Sequence, residues 1–266
     1  VTRYKFFSRP ITIEIFPYKV YSGLANMAID HFLASIHGKY SNPIMRFYGW
    51  QPFCISLGIH QKEIIMNQDK LRAEGYQWIR RPTGGRAILH ANELTYSVII
   101  SKEVMRHQDL YRFLHLVIAE ALNTLGFFVI LNNKNESVPV IKNDILDSLC
   151  FTSSARTEIQ YSGKKVVGSA QKIYKNSILQ HGSILIDETH KQVIDFLNIS
   201  PEKKGSLTAE LKDKTISLKE IKPETPSKKL MVRRIIKQLE KVENISLITG
   251  YLSKQDIKTA MEQYPF

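Results

Sequence analysis

Arg80-Arg81-Pro82-Thr83-Gly84-Gly85-Arg86-Ala87-Ile88-Leu89-His90 runs a doubled arginine into a glycine pair and, after a short apolar run, into a histidine. Glycines let main chain approach a ligand closely and present its N–H groups, and neighbouring arginines favour an anion. Alone, the stretch is a moderate signal for phosphate, carboxylate or adenylate binding, and a glycine turn between two strands with solvated arginines is the commoner case. It lacks the Lys-Ser/Thr that completes a P-loop. Its neighbours on both sides are strand-like: Gln77 to Arg81 before the turn and Ala87 to His90 after it.

Further out, Ile11 to Phe16 alternates as a strand does. Leu24, Ala28 and Phe32, beside Ala25, Ile29 and Leu33, keep helical spacing. Ile44 to Tyr48, Phe53 to Ile59 and Leu94 to Ile100 read as strands, and Asn67 to Glu74 as a short helix that Gly75 ends. Asp109 is expected to cap a helix reaching Leu125. The polar run 132–147 reads as a long loop, of the kind that often carries function. Cys150 to Ile186 is β-rich around a hairpin turn at Tyr161-Ser162-Gly163-Lys164. Beyond Asp187 lysines and prolines increase and Lys228 to Val242 is helical, so residues 1–190 read as the catalytic body and 191–266 as a helical C-terminal extension.

The 266 residues are 43% hydrophobic and 23% charged, an ordinary globular composition. Formal net charge is +12, spread along the chain with no basic tail. No nucleic-acid-binding signature accompanies it, and no nucleic-acid partner is expected. The most apolar long stretch, Leu114 to Leu131, is interrupted by His115, Glu120 and Asn123 and suits a helix running into a strand better than a membrane span. Two cysteines, Cys54 and Cys150, and no apolar leader fit a cytoplasmic protein. No cluster has metal-ligand spacing, so no metal is expected.

Two more segments complete a constellation with the arginine–glycine loop. One is Gly163-Lys164-Lys165-Val166-Val167-Gly168-Ser169-Ala170-Gln171, a turn feeding a strand; the other is Leu179-Gln180-His181-Gly182-Ser183-Ile184-Leu185-Ile186. In this order the three resemble the hallmarks of the lipoate–protein ligase, octanoyltransferase and biotin–protein ligase superfamily. Met45-Arg46-Phe47-Tyr48-Gly49-Trp50, Glu93-Leu94-Thr95-Tyr96-Ser97-Val98-Ile99 and Ser148-Leu149-Cys150-Phe151 make the chain most similar to its cysteine-dependent octanoyltransferase branch. The likeness runs from about Leu24 to Asp187. Two positions depart from the wider pattern: Arg86 stands where many ligases have a third glycine, and Ala91 where aspartate is common. The first disfavours an ATP-using activity.

The resemblance implies a biotin/lipoate protein ligase-like α/β (α+β) fold, with a mixed, largely antiparallel sheet flanked by helices. It implies transfer of octanoyl from acyl carrier protein to a lysine of the glycine-cleavage H protein or another lipoyl domain, with no cofactor. Cys150 would be the nucleophile. Lys165, counterpart of the family's motif lysine, would be the cation that lowers the thiol's pKa from its usual value of about 8.5. Arg80, Arg81, Thr83, Gly84, Gly85, His90, Gly168, Ser169, Ala170 and His181 would bind substrate. The alternatives are a lipoate–protein ligase forming lipoyl-adenylate from ATP and Mg, in which Lys165 would hold the acyl carboxylate and phosphate, and an amidotransferase between lipoyl domains. Cys54, in an alternating apolar run, reads as core.

Overall fold

The computed structural model describes residues 5–133 and 157–266. Ser148 to Phe151, with Cys150, and most of the polar run 132–147 lie outside the described residues.

Eight strands form the main sheet in the order β11-β1-β2-β6-β10-β9-β8-β7. These are β1 (Ile11–Tyr21), β2 (Ile44–Trp50), β6 (Glu93–Ser101), β7 (Ile130–Asn133), β8 (Thr157–Tyr161), β9 (Lys164–Ile173), β10 (Ser177–Leu185) and β11 (Ile245–Thr249). β1 is parallel to both its neighbours, and the other pairs are antiparallel. A second sheet, in the order β4-β3-β5, holds β3 (Cys54–Leu57) between β4 (Gln77–Arg80) and β5 (Ile88–His90). The fold is thus the mixed, largely antiparallel α/β architecture expected. The hairpin turn at Ser162-Gly163 joins β8 to β9 as the sequence indicates.

β2, β6 and β10 are buried on both faces, and their side chains sort by the strand period of two. Met45, Phe47, Leu94, Tyr96 and Ile184 join a core shared with α3 (His107–Asn123) and α6 (Lys228–Leu239). Arg46, Tyr48, Trp50, Thr95, Ser97, His181 and Ser183 alternate with them along the same strands. Those polar positions meet α1 (Gly23–Ile36) and the second sheet.

Two local expectations need correction. α3 begins at His107 after Arg106, and Asp109 does not cap it; Asp109 lies in the first turn, where Arg106 Nε donates to it at 2.7 Å. Nor are residues 191–266 a purely helical appendage. β11 pairs in parallel with β1 along Ile11↔Ile245 to Ile15↔Thr249, while Met231, Val232, Ile235 and Leu239 of α6 are buried in the main core. The lysines that dominate this segment's composition occupy its outer faces, while the apolar positions between them complete the sheet and its cover.

Candidate active site

A narrow cavity of about 20 Å³ lies between the main sheet, α1 and the second sheet. Its wall includes Met27, Trp50, Ile88, Gly168, Ala170 and Gly182, an apolar surface suited to an aliphatic chain. Small residues make this space by necessity. A Cβ on Gly182 would lie 2.6 Å from the Gly168 carbonyl oxygen and 2.8 Å from the Tyr96 ring, so β9 and β10 approach this closely only with glycine here.

Of the residues expected to bind substrate, Arg81, His90, Gly168, Ser169, Ala170 and His181 line this cavity. Thr83 touches it indirectly, through a 2.7 Å hydrogen bond between its hydroxyl and His181 Nε2. Arg80, Gly84 and Gly85 belong to the loop at its edge. Gly85 has φ +90, a conformation that favours glycine, whereas a Cβ on Gly84 would meet no atom within 4 Å.

The two arginines hold the loop itself. Arg81, 2% exposed, donates from Nη1 to the Ser56 carbonyl at 2.8 Å and from Nη2 to the carbonyls of Gly84 at 2.9 Å and Arg86 at 2.8 Å. Arg80 donates to the carbonyls of Gly58, Ile59 and Gln61 and pairs with Glu63 at 3.0 Å. Planar guanidinium groups suit this work because several donors leave one rigid fork. The stretch that first reads as an anion loop therefore has its carbonyls held from within, leaving its shape fixed before any ligand arrives.

Two buried carboxylates that the sequence reading did not single out organise the cavity. Asp30, on α1 and fully buried, is bonded by Arg46, by the Tyr48 hydroxyl at 2.7 Å and by Ser97 at 2.7 Å, with His181 Nδ1 3.5 Å away. Burial pushes its carboxyl up, but Arg46, His181 and Ser97 more than offset this and hold it below the usual carboxylate range. Burial pushes the His181 imidazole down, against the pull of Asp30. Glu93 accepts from His90 Nδ1 at 2.7 Å, Thr95 at 2.6 Å and Ser183 at 2.7 Å, and it too is held low by these partners in spite of burial. His90 is fixed further by Ser56 on Nε2 at 2.7 Å and by Trp50, whose ring stacks on it at 3.9 Å. The signal for both networks was present as polar residues at every second position of otherwise apolar strands: Arg46 and Tyr48, Thr95 and Ser97, His181 and Ser183.

The remaining candidates sort by environment. Lys165 is buried and forms an ion pair with Glu158 at 2.8 Å, while Lys164 is half-buried and donates to the Lys212 carbonyl. Ser169 bonds the Tyr96 hydroxyl at 2.6 Å and His115 Nε2 at 2.9 Å, which ties the cavity floor to α3. Burial pushes the Cys54 thiol up, as befits the core position read from its apolar run. Among the described residues no group of histidine, cysteine and carboxylate side chains is placed to hold a metal ion, and no helix is long and apolar enough to cross a membrane.

The family model for the lipoyl protein ligase A/B catalytic domain matches residues 22–240. Octanoyltransferase LipM of Clostridioides difficile is 33% identical over 263 residues, covering 92% of this chain and 93% of that protein. Octanoyltransferase LipM of Bacillus subtilis is 37% identical over 211 residues, or 74% and 73% of the two chains. Among solved structures, the bipartite lipoate protein ligase of Thermoplasma acidophilum superposes with a TM-score of 0.74 over 96% of this chain and 91% of its own, at 17% identity. A lipoate-protein ligase A bound with ATP gives 0.69, over 96% and 93%, at 19% identity. At that identity the structures speak for the fold, while the sequence matches carry the kinship: the chain belongs to the lipoyl protein ligase A/B catalytic domain family.

Proposed function

We propose that the protein is an octanoyltransferase of protein lipoylation, working in the cytoplasm, which moves octanoyl from acyl carrier protein to a lysine of the glycine-cleavage H protein or another lipoyl domain. The observation that carries this reading is the 33% identity, along nearly the whole of both chains, to a protein named an octanoyltransferase. The apolar lining of the narrow cavity at Gly168, Ala170 and Gly182 supports it, as the surface along which an acyl chain would enter.

In the proposed reaction the Cys150 thiolate attacks the carbonyl carbon of the donor thioester. The tetrahedral intermediate expels the carrier thiolate, which takes up a proton, and leaves an acyl-enzyme thioester. The neutral ε-amine of the acceptor lysine then attacks the same carbon, Cys150 leaves as thiolate, and the amine gives up a proton as the amide forms. Dividing one difficult transfer into two thioester steps is ordinary covalent catalysis. Main-chain N–H groups beside Cys150 would receive the oxyanion in both steps. Neither step calls on ATP, magnesium or another cofactor. The +12 net charge supports an acidic carrier as donor, because opposite fields speed encounter.

Lys165 enters this scheme as half of an ion pair. Replacing it by alanine removes a cation and leaves Glu158 a buried anion without its Lys165 partner, Gln160 still donating to it at 3.0 Å, and both changes disfavour a thiolate nearby. The alkylation profile of Cys150 in Lys165→Ala is expected to move to higher pH; an unchanged profile removes the role.

Intact-mass measurement after mixing the protein with octanoyl-acyl carrier protein, without ATP, tests the whole scheme. An octanoyl adduct labile to hydroxylamine is expected, absent in Cys150→Ala, together with loss of acyl transfer to H protein. Wild-type transfer by Cys150→Ala would refute the nucleophile. Strict dependence on ATP and free lipoate would assign the protein to the ligases, and transfer only from an already octanoylated H protein to the amidotransferases.

A further inference from the structure

Tyr264 lies beyond the part of the chain that the family model matches, yet it reaches the base of the arginine–glycine loop. Its hydroxyl donates to the carbonyl oxygen of Arg80 at 2.5 Å. Arg80 ends β4, the outer strand of the small sheet, and the next residue, Arg81, begins the turn that edges the cavity. The ring is packed against the group formed by Met27, Tyr48, Trp50 and Cys54, of which the first three line the cavity. It also meets His31 of α1 edge-on at 5.8 Å, and His31 Nδ1 bonds the Tyr174 hydroxyl at 2.8 Å. α7 (Lys254–Glu262), which carries Tyr264 on its C-terminal side, packs on α1.

We infer that Tyr264 is a positioning residue for substrate binding: it fixes the carbonyl at the foot of the loop and backs the cavity wall, so that the segment after β11 sets the loop's position. The inference rests on the proposed octanoyl transfer for its kinetic consequence and on geometry alone for its structural one. Arg80 and Arg81 hold the loop through its own carbonyls and through residues 56–63, and Thr83 ties its tip to His181 of β10 at 2.7 Å. Tyr264 is packed on α1 and the main sheet, and so it references the foot of the loop, the end that Thr83 does not hold, to the opposite wall. Removing the hydroxyl frees an acceptor at the end of β4, beyond which, among the described residues, no other strand of the small sheet lies.

The test is Tyr264→Phe, which keeps the ring and its packing. Two amides report on the loop directly: Arg81 N–H, bonded to the Leu57 carbonyl at 2.9 Å, and Ile59 N–H, bonded to that of Thr83 at 3.0 Å. Their hydrogen exchange is expected to quicken about fivefold to tenfold, the scale of one hydrogen bond, with amides of β10 unchanged. With octanoyl-acyl carrier protein, KM for the donor is expected to rise by about the same factor while kcat stays within about twofold. Unchanged exchange at Arg81 and Ile59 overturns the inference. So does equal quickening across β10, which would mean general destabilisation. A wild-type protein that transfers no octanoyl defeats the proposed function instead, and the exchange result still decides the role of Tyr264.

Discussion

Asp30 and Glu93 stand on the same side of the main sheet, both buried, both ionised and both bound to a histidine that lines the cavity, but their charges are balanced differently. Asp30 has the Arg46 guanidinium, with Tyr48 and Ser97 completing its hydrogen bonds. Glu93 has His90, Thr95 and Ser183, a set of hydroxyls and an imidazole with no permanent cation among them. One carboxylate is held by an arginine, the other by the His90 imidazole together with hydrogen bonds from two hydroxyls. The difference teaches where each network is vulnerable: the first to loss of its partner, the second to protonation.

The largest effect is expected from Arg46→Met, which strands Asp30 as a buried anion in the heart of the sheet. Breaking such a pair costs about 3–5 kcal/mol, measurable by denaturant unfolding. A smaller loss would mean that Tyr48, Ser97 and His181 suffice for Asp30, and the contrast with Glu93 would collapse. Glu93→Gln is the gentler probe. It keeps the shape but forces an amide where three donors converge, for a loss of about 1–3 kcal/mol.

The same variant sharpens the comparison through pH. Because folding lowers the Glu93 pKa, the unfolded chain binds its proton first on acidification. The stabilisation from Glu93 is therefore complete above the unfolded value, about 4.3, and is lost as pH falls through the lower folded value. Glutamine cannot titrate, so the acid limb of the stability profile should flatten in Glu93→Gln while the Asp30 share remains. An acid limb as steep as wild type would show that Glu93 is not among the groups that govern it.

Much of this molecule was legible before its structure. The loop at Arg80–His90, the strand from Lys165 and the His181-Gly182-Ser183 strand are local patterns, and local patterns survive in a sequence because spacing alone carries them. Asp30 was not legible. It falls among Ala28, Ile29 and Phe32 on a helix, where a lone carboxylate reads as an exposed position, and its burial depends on Arg46 and Ser97 from strands far away in the chain. β11 was missed for a related reason: five residues between two helices gain their strand character from pairing with β1. The roles of Arg80 and Arg81 needed the carbonyls they reach, which no spacing reveals. Cys150, the residue on which the proposed chemistry turns, lies outside the described residues and rests on sequence kinship and on the adduct experiment.

The parallel pairing of β1 with β11 also has a history in time. Thr12 and Ser246 hydrogen-bond across a separation of 234 positions. At about 5–20 residues per second, a ribosome needs on the order of tens of seconds to deliver the second partner after the first. Through that interval β1 has an open outer edge, the part of a sheet most prone to pair with another chain. Fragments ending near residue 240, where the family model stops, would keep that edge open permanently. β11, made late, thus protects β1, made early, from aggregation.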